Sequence, residues 1–395
     1  MNDFKDLFRS KKKNNKKTNF SQEQIIEKAI QFHSQGNINE AINNYQDLIS
    51  QGCNDYRVFS NYGVILKDLG KLEDAELSIR KAIEIEPDYV EGHLNLGILF
   101  NDIGKLKEAA IAFRKVIEIK PDFAKVHLKL GNLYKALNKL EDAEFSYRKA
   151  IEIKPDYTEG HLNLGVLFSD IGKLQDAEIA FRKVINIKPD FAIAHSNLGS
   201  ILNSLGKLKE AEISCRKAIE IKPDCAEGYL NLGILYKDLG KLKEAEISCR
   251  KAIEIKPDFA EAYSTLGSLL KDLYKLEEAE LSYRKAIEIK PDFAEAYSNL
   301  GSLLKDIGKL QDAELSYRKA IEIKPDFSIA KMNLDIIAEN RVPKWHIPMM
   351  NDTKRNNAYL KAINSAIKDH EYVLEIGTGS GLLSMMASDA GAEKV

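Results

Sequence analysis

Cysteine and tryptophan are scarce in this chain of 395 residues, which has four of the first and a single copy of the second. No CxxC pair occurs, so we expect neither a metal site nor a disulfide framework. Cys215 and Cys249 fall at bulky positions of a helical pattern, which predicts buried reduced thiols. Together with Cys53 and Cys225 they indicate a reducing compartment, most simply the cytoplasm.

Long apolar runs and an excess of one charge are also absent. No stretch approaches 18 consecutive apolar residues, so the sequence predicts no membrane-spanning helix. The N-terminus lacks the apolar core of a secretory signal. The formal net charge is only −2, which argues against nucleic-acid binding by the chain as a whole.

Residues 1–20 are the exception to this even charge balance. Seven lysines and arginines stand there against two aspartates. A block of this kind is typical of a disordered, solvated tail. The alternative is that this segment, unlike the rest of the chain, contacts nucleic acid or an anionic surface.

One nine-residue segment, Arg-Lys-Ala-Ile-Glu-Ile-Lys-Pro-Asp, recurs along the chain. Five copies are verbatim and three are slightly altered, and the eight prolines from Pro87 to Pro325 are spaced by 34 residues. A fixed period of that length predicts a solenoid of helix–turn–helix units. The verbatim copies are 148–156, 216–224, 250–258, 284–292 and 318–326, and the altered ones are 80–88, 114–122 and 182–190.

The period divides the chain into predicted segments. Eight full units of 34 residues occupy 56–327, and we number their positions 1 to 34 from the first residue of each unit. Residues 22–55 form a degenerate first unit, in which Cys53 takes the place of proline, and 328–340 supply a capping helix. The predicted fold class is all-α, a right-handed superhelix of helix pairs.

Small residues and proline recur at fixed positions of the unit. Glycine at position 8 destabilises a helix by roughly 1 kcal/mol relative to alanine, so its recurrence predicts close approach by a neighbouring helix. Alanine at position 20 indicates the same on the second helix, and proline at position 32 ends that helix. The aspartate at position 33 is expected to cap the next first helix, with a capping box in Asp88–Glu91 and Asp258–Glu261.

This pattern resembles the tetratricopeptide repeat, because small, large and proline positions recur together. The unit 226–259 shows them at Leu232, Gly233, Tyr236, Ala245, Cys249, Ala252 and Pro257.

The histidines at position 4 do not indicate a metal site. Equivalent helices lie at least about 10 Å apart, so these rings cannot meet on one ion and are expected to be packing residues. They are His93, His127, His161 and His195.

Asparagine recurs at position 6 of the first helix, and Lys129 and Thr265 interrupt the series. The tetratricopeptide resemblance implies that first helices line the concave side. The row is similar to the asparagine ladder of O-linked N-acetylglucosamine transferases, whose amides hold an extended peptide backbone. An alternative is that asparagine is simply common at this position, and no glycosyltransferase catalytic sequence occurs here. The ladder consists of Asn61, Asn95, Asn163, Asn197, Asn231 and Asn299.

Aspartates at position 13 lie on the same side of the first helices. Lysines at position 12 stand beside them and partly neutralise them. A modestly acidic groove of this kind favours basic, Lys/Arg-containing peptides through steering, and a solvated charged face is the alternative. The expected peptide-binding aspartates are Asp170, Asp238 and Asp272, with Asp68, Asp102 and Asp306 in the same row.

After the repeats the composition changes. Tyr372–Ile376 reads as a short buried strand, followed by a loop with Gly377, Gly379 and Gly381 and an apolar helix from Leu382 to Ala390. A strand, a glycine loop and a helix open a doubly wound sheet, in which the loop and the helix N-terminus receive a nucleotide. Residues 341–395 are therefore predicted to be an incomplete α/β, Rossmann-like fragment.

This segment resembles the start of a protein arginine N-methyltransferase. Glu375 and the glycines resemble motif I of S-adenosylmethionine-dependent methyltransferases, and His346, Met349, Asp352, Arg355 and Tyr359 resemble the signature helix of the arginine-modifying family. The resemblance implies S-adenosylmethionine as cofactor. His346 and Arg355 would close over it, Arg355 pairing its carboxylate, and Met349 would border the sulfur. The glycines would line its methionine and ribose side, next to Glu375.

In that family the ribose-binding acid and the two catalytic glutamates lie further along the chain. We therefore expect the catalytic residues beyond Val395, a truncated methyltransferase domain, and no turnover by these 395 residues alone. The function predicted from sequence is a protein-binding scaffold fused to that fragment. The alternative is the substrate-recruiting part of an active protein arginine methyltransferase whose catalytic half is missing from this chain.

Overall fold

A computed structural model describes residues 21–341 and 352–366, and every regular element in this part of the chain is an α-helix. The first helices of the pairs are α1 (Gln22–Ser34), α3 (Tyr56–Asp68), α5 (Val90–Asp102), α7 (Ala124–Ala136), α9 (Thr158–Asp170), α11 (Ala192–Ser204), α13 (Ala226–Asp238), α15 (Ala260–Asp272), α17 (Ala294–Asp306) and α19 (Ser328–Arg341). The second helices are α2 (Ile38–Ser50), α4 (Leu72–Ile85), α6 (Leu106–Ile119), α8 (Leu140–Ile153), α10 (Leu174–Ile187), α12 (Leu208–Ile221), α14 (Leu242–Ile255), α16 (Leu276–Ile289) and α18 (Leu310–Ile323). A further helix, α20, spans Thr353–Ala366.

The predicted all-α architecture of helix pairs is confirmed for the repeats. The predicted basic tail and the predicted strand and glycine loop of the α/β fragment lie outside the described residues. The chain divides into two compact parts, each made of several repeats, which we call unit one (1–223) and unit two (224–395). Within each unit a first helix packs on its own second helix, the second helix packs on the next first helix, and neighbouring first helices also touch.

The predicted close approach within each pair is present at position 8. A Cβ added to Gly131 would stand 2.5 Å from the Tyr147 ring, and one added to Gly165 would stand 2.8 Å from the Phe181 ring. In both repeats the ring stands at position 24 of the repeat, which lies on the second helix. The alanines at position 20 have no solvent exposure in any repeat. Glycine and alanine therefore let the two helices approach each other closely enough to bury an aromatic ring between them.

The expected aspartate caps are wrong for the repeats. The residue that caps α15 is Phe259, at position 34, and its side chain makes no capping bond. Asp258 lies one residue too early, in a turn closed by the Phe259 N–H donating to the Lys256 carbonyl at 3.1 Å. The Lys256 ammonium lies 4.6 Å from the centre of the Phe259 ring, which fits a cation–π contact. The equivalent residue Tyr89 caps α5, also without a side-chain capping bond.

The cysteines and histidines are structural, as expected. All four cysteines are buried thiols outside any disulfide, and burial raises the pKa of the Cys249 thiol to about 12. Each position-4 histidine approaches the carbonyl of the preceding proline through Nε2, at 2.8 Å for His93 and Pro87. Since a carbonyl can only accept, Nε2 carries the proton in these rings. No cluster of metal-ligating side chains occurs in the described segments.

A recurrent ion network joins successive repeats through the glutamate at position 21. In unit one Glu178 is nearly buried and accepts from Lys207 of the next repeat at 2.7 Å and from Arg182 of its own helix at 2.9 Å. The hydrogen bond from Lys207, with that from Arg182, holds the pKa of Glu178 below its ordinary value of 4.5 against the opposing effect of burial. Glu144, Glu246 and Glu280 are placed in the same way.

Replacing Glu178 with glutamine should lower the stability of the chain at neutral pH by about 1 kcal/mol, because two half-exposed cations lose a charged partner. The folded-state pKa lies below the ordinary 4.5, so the carboxylate stabilises above that pH and its contribution is lost as the pH falls through the folded value. The difference in urea midpoint between Glu178→Gln and wild type should therefore shrink below pH 4.5.

The control is Glu118→Gln, which alters an exposed i,i+3 pair with Lys115. This substitution should change stability by less than about 0.5 kcal/mol. Equal losses in the two variants, or a Glu178 effect that does not depend on pH, would contradict the proposed role of the network.

Candidate peptide-binding groove

The six predicted ladder asparagines all lie half-buried on first helices. Two of them in unit one donate across a repeat boundary: Asn95 Nδ2 to Ser60 Oγ at 3.2 Å and Asn163 Nδ2 to Asn132 Oδ1 at 2.8 Å. In unit two Asn299 Nδ2 lies 3.5 Å from Ser264 Oγ. These amides therefore tie neighbouring first helices together, and each such bond uses one of the two N–H groups of the amide.

The ladder is thus divided between the two units. Asn61, Asn95, Asn163 and Asn197 belong to unit one, and Asn231 and Asn299 belong to unit two. Asn61 lies beside the buried Tyr45, whose pKa is raised to about 12 by burial. Asn61 and Asn95 stand on first helices that touch, as do Asn163 and Asn197.

The aspartate row is partly neutralised by ion pairs between successive repeats. The lysine at position 12 of one repeat reaches the aspartate at position 13 of the next. Asp170 pairs with Lys135 at 2.7 Å, and Asp272 pairs with Lys237 at 3.3 Å. Asp102 and Asp306 have the same arrangement with Lys67 and Lys271. All six aspartates, Asp238 included, remain exposed, so the face keeps acidic groups at its surface.

A polar residue at position 9 was missed by sequence reasoning. The Tyr147 hydroxyl, on a buried ring, donates to Asn132 Oδ1 at 2.8 Å, and the same oxygen accepts from Asn163. Burial raises the pKa of Tyr147 to about 12. The signal was available in the repeats themselves, because a tyrosine at position 24 accompanies a polar position 9. The tyrosine pairs are Asn132–Tyr147, Ser268–Tyr283 and Ser302–Tyr317, whereas Ile98–Phe113 and Val166–Phe181 are apolar.

A small pocket of about 110 Å³ opens where Lys129 interrupts the asparagine row. Ile98 and Phe113 supply its apolar wall, and Lys129 and Asp102 stand at its polar side together with Asn101 and Asn132. The volume is enough for part of one side chain. The first-helix face of unit one thus combines a row of amides with a recess that could receive a residue of a bound chain.

Of the residues predicted to bind a cofactor, Arg355 alone lies in the described part of the chain. It stands half-buried in the first turn of α20, where its backbone N–H donates to Asp352 Oδ1 at 3.0 Å. A helix over this segment was expected from the sequence and is present. The remaining residues lie outside the described residues: His346, Met349, Glu375, Gly377, Gly379 and Gly381.

Family models place the repeats among known sequences. A model described as tetratricopeptide repeat matches 192–225, 226–259 and 294–327, and a second with that description matches 56–89 and 158–191. A third, described as TPR repeat, matches 97–138, 131–172 and 267–308. The fold is similar to that of a tetratricopeptide repeat protein from Parabacteroides merdae, with a TM-score of 0.57 and 20% identity over 63% of this chain and 98% of the other.

Two curated relatives match over short stretches. The arginine N(omega)-methyltransferase of Streptomyces achromogenes subsp. streptozoticus is 51% identical over 59 residues, which are 15% of this chain and 16% of the relative. Protein arginine N-methyltransferase 9 of Xenopus laevis is 51% identical over 57 residues, which are 14% of this chain and 7% of the relative. The chain therefore spans less than a fifth of either relative. None of the helices in 21–341 or 352–366 is long and apolar enough to cross a membrane.

The Asn132–Tyr147 pair gives a test of how the groove is built. Asn132→Ala should destabilise the chain by about 1–3 kcal/mol, because the buried tyrosine hydroxyl loses its acceptor. Adding Tyr147→Phe to it should restore part of that loss, since an apolar pair occupies these positions in other repeats. Urea unfolding of the two single variants and the double variant measures the coupling.

Ser200→Ala is the matched control, because position 24 of that repeat is Cys215 and carries no hydroxyl. Its effect should stay below about 0.5 kcal/mol. A double variant less stable than Asn132→Ala would show that the hydroxyl does not depend on this acceptor.

Proposed function

This chain belongs to the tetratricopeptide repeat family, and from that premise we propose that its first helices bind extended segments of partner proteins. The observation that carries the proposal is the row of half-buried asparagine amides at the same position of six first helices. An amide can donate and accept at once, which suits a peptide backbone whatever its sequence. The reduced, buried cysteines support a reducing compartment, most simply the cytoplasm, as the place where this happens.

The bonds between repeats prepare the amides for this role. Asn95 and Asn163 are each held by one N–H against the preceding first helix, so their side chains lose little further freedom when a ligand arrives. Each of these amides has a second N–H group and a carbonyl oxygen with which it can bind a ligand. Each new hydrogen bond contributes about 0.5–1.5 kcal/mol, so several must act together to reach micromolar affinity.

A preference for Lys/Arg-containing segments is the finer part of the proposal. The aspartates at position 13 are exposed beside the amides, but lysines of the preceding repeat pair with several of them. A basic ligand must therefore compete with Lys135 for Asp170. We expect electrostatic steering rather than tight pairing, and a preference that weakens as salt is added.

An array of peptides probed with the purified chain tests both parts. One variant removes four amides, a second neutralises three aspartates, and a control removes three amides from second helices. The amide variant is Asn95→Ala, Asn163→Ala, Asn197→Ala and Asn231→Ala. The aspartate variant is Asp170→Asn, Asp238→Asn and Asp272→Asn. The control is Gln175→Ala, Asn186→Ala and Gln311→Ala, all exposed on second helices.

The amide variant should lose at least about tenfold in affinity for most bound peptides. The aspartate variant should lose only its preference for basic peptides, and the control should keep the wild-type set. Circular dichroism confirms that each variant is folded before comparison. If the amide and aspartate variants both bind the wild-type set unchanged, the first-helix face is a solvated surface and the proposal is wrong.

We further propose that residues 341–395 begin a methyltransferase domain to which the repeats deliver Arg-rich substrates. The motif around Gly377, Gly379 and Gly381 supports this, as do the short matches to arginine methyltransferases. S-adenosylmethionine is the cofactor that such a domain would use, supplying the methyl group. The first-helix groove would then bind an Arg-containing segment of the substrate, and Arg355 would pair with the carboxylate of the cofactor.

The gene sequence downstream of Val395 tests this link. We expect an acidic residue at the end of the next strand, for the ribose hydroxyls, and a pair of glutamates further on, for the guanidinium. A downstream sequence without these acids would contradict the methyltransferase part and leave the peptide-binding part untouched.

A further inference from the structure

The second helices carry an apolar residue that the core does not bury. It stands at position 22 of every repeat, and seven of the eight side chains are between 63% and 69% exposed. By contrast, the alanine at position 20 and the side chain at position 24 of the same helices are buried. The eight residues form what we call the outer apolar row: Leu77, Ile111, Phe145, Ile179 and Ile213 in unit one, and Ile247, Leu281 and Leu315 in unit two.

Grooves accompany the row in unit one. A groove of about 550 Å³ lies between α4 and α6, with Ile83 and Ile111 on its sides and Leu96 and Phe100 of α5 among its lining residues. A second groove, of about 510 Å³, lies between α10 and α12 and includes Ile185, Leu198 and Ile213. The same surface therefore offers both protruding apolar side chains and apolar recesses of a size to receive them.

Charges are arranged in a fixed order around the row. Position 19, one turn before the apolar residue, is acidic in all eight repeats, and positions 25 and 26, one turn after it, are Arg and Lys in all eight. On α8 these are Asp142, Phe145, Arg148 and Lys149. Two such helices laid antiparallel would place each acidic end against the other's basic end, with the apolar residues between them.

These features favour a second copy of this chain over an unrelated partner. The apolar and charged groups of this face recur with the spacing of the helix pairs. A second copy has the same spacing, so its groups can meet those of the first copy along the whole row. The five second helices of unit one that carry the row are 14 residues long or about 20 Å, and stand at least roughly 10 Å apart. That face measures roughly 800 Å², which is the area that each partner buries in a stable interface.

We propose that the chain self-associates through this face, with the second helices of unit one packed antiparallel against those of a second copy around a two-fold axis. The contact is isologous, so the acidic position 19 of each copy meets the basic position 26 of the other. This surface is separate from the first-helix groove, and the inference does not rest on peptide binding.

Sedimentation equilibrium of the full chain tests the proposal. Wild type should dimerise with a dissociation constant below about 100 µM, an affinity that an interface of this area can provide. The triple variant Ile111→Ser, Phe145→Ser and Ile179→Ser should raise the dimer dissociation constant at least about tenfold. The aspartate variant of the first-helix face, Asp170→Asn, Asp238→Asn and Asp272→Asn, is the control and should associate like wild type.

Charge exchange tests the antiparallel order. A variant with Lys115→Glu, Lys149→Glu and Lys183→Glu should be monomeric alone, because acid then faces acid along the contact. A variant with Glu108→Lys, Asp142→Lys and Asp176→Lys should also be monomeric alone. Mixed together, the two should form a heterodimer, since each acid again meets a base.

A wild-type chain that stays monomeric up to about 100 µM would overturn the proposal. So would a dimer that persists in the triple serine variant, or two charge variants that fail to associate when mixed although each is folded by circular dichroism. These outcomes are independent of the peptide array, which reports on the other face.

Discussion

The close contact between the two helices of each repeat is the constraint on which the rest of the structure depends. A methyl group on Gly165 would stand 2.8 Å from the Phe181 ring, and Ala177 of the second helix has no exposure at all. Because both small residues recur, the side chain at position 24 is buried between the two helices of every repeat, and it is an aromatic ring in five of the eight. Every repeat therefore has nearly the same geometry, and equivalent positions of successive repeats line up into rows.

Polar links join successive repeats in addition to the buried apolar core. Glu178 joins Lys207 of the next repeat, and Lys135 joins Asp170 of the next repeat. His93 joins the Pro87 carbonyl at the preceding turn. Each of these links reaches an adjacent repeat or turn, so the network is built from contacts between neighbouring repeats.

The same periodicity produces two faces with different chemistry. First helices carry amides and exposed aspartates, a surface that exchanges hydrogen bonds with water and can exchange them with a peptide backbone. Second helices carry an apolar residue such as Ile179 between acidic and basic turns, a surface that gains by losing contact with water. A ligand held at the first face leaves the second face available, so peptide binding and self-association can occur together.

The repeat pattern alone determined the helix pairs, the glycine and alanine contacts, the buried thiols and the role of the histidines. These features depend on residues within one repeat or at an adjacent turn, where the helical period fixes which side chains meet. The domain limits and the roles assigned to the ladder and cofactor residues remain predictions. For the segment after the last repeat, the prediction could be compared with the structure only in α20.

Other features were decided only by the tertiary structure. Phe259 rather than Asp258 caps α15, because the turn after the proline is closed by the Phe259 N–H. Asn132 accepts from both Tyr147 and Asn163, residues 15 and 31 positions further along the chain. Position 22 stays exposed although it carries large apolar residues. The cap depends on the geometry of one local turn. The Asn132 contacts and the exposure of position 22 depend on distances between separate helices, which a sequence pattern does not specify and which only packing of the repeats determines.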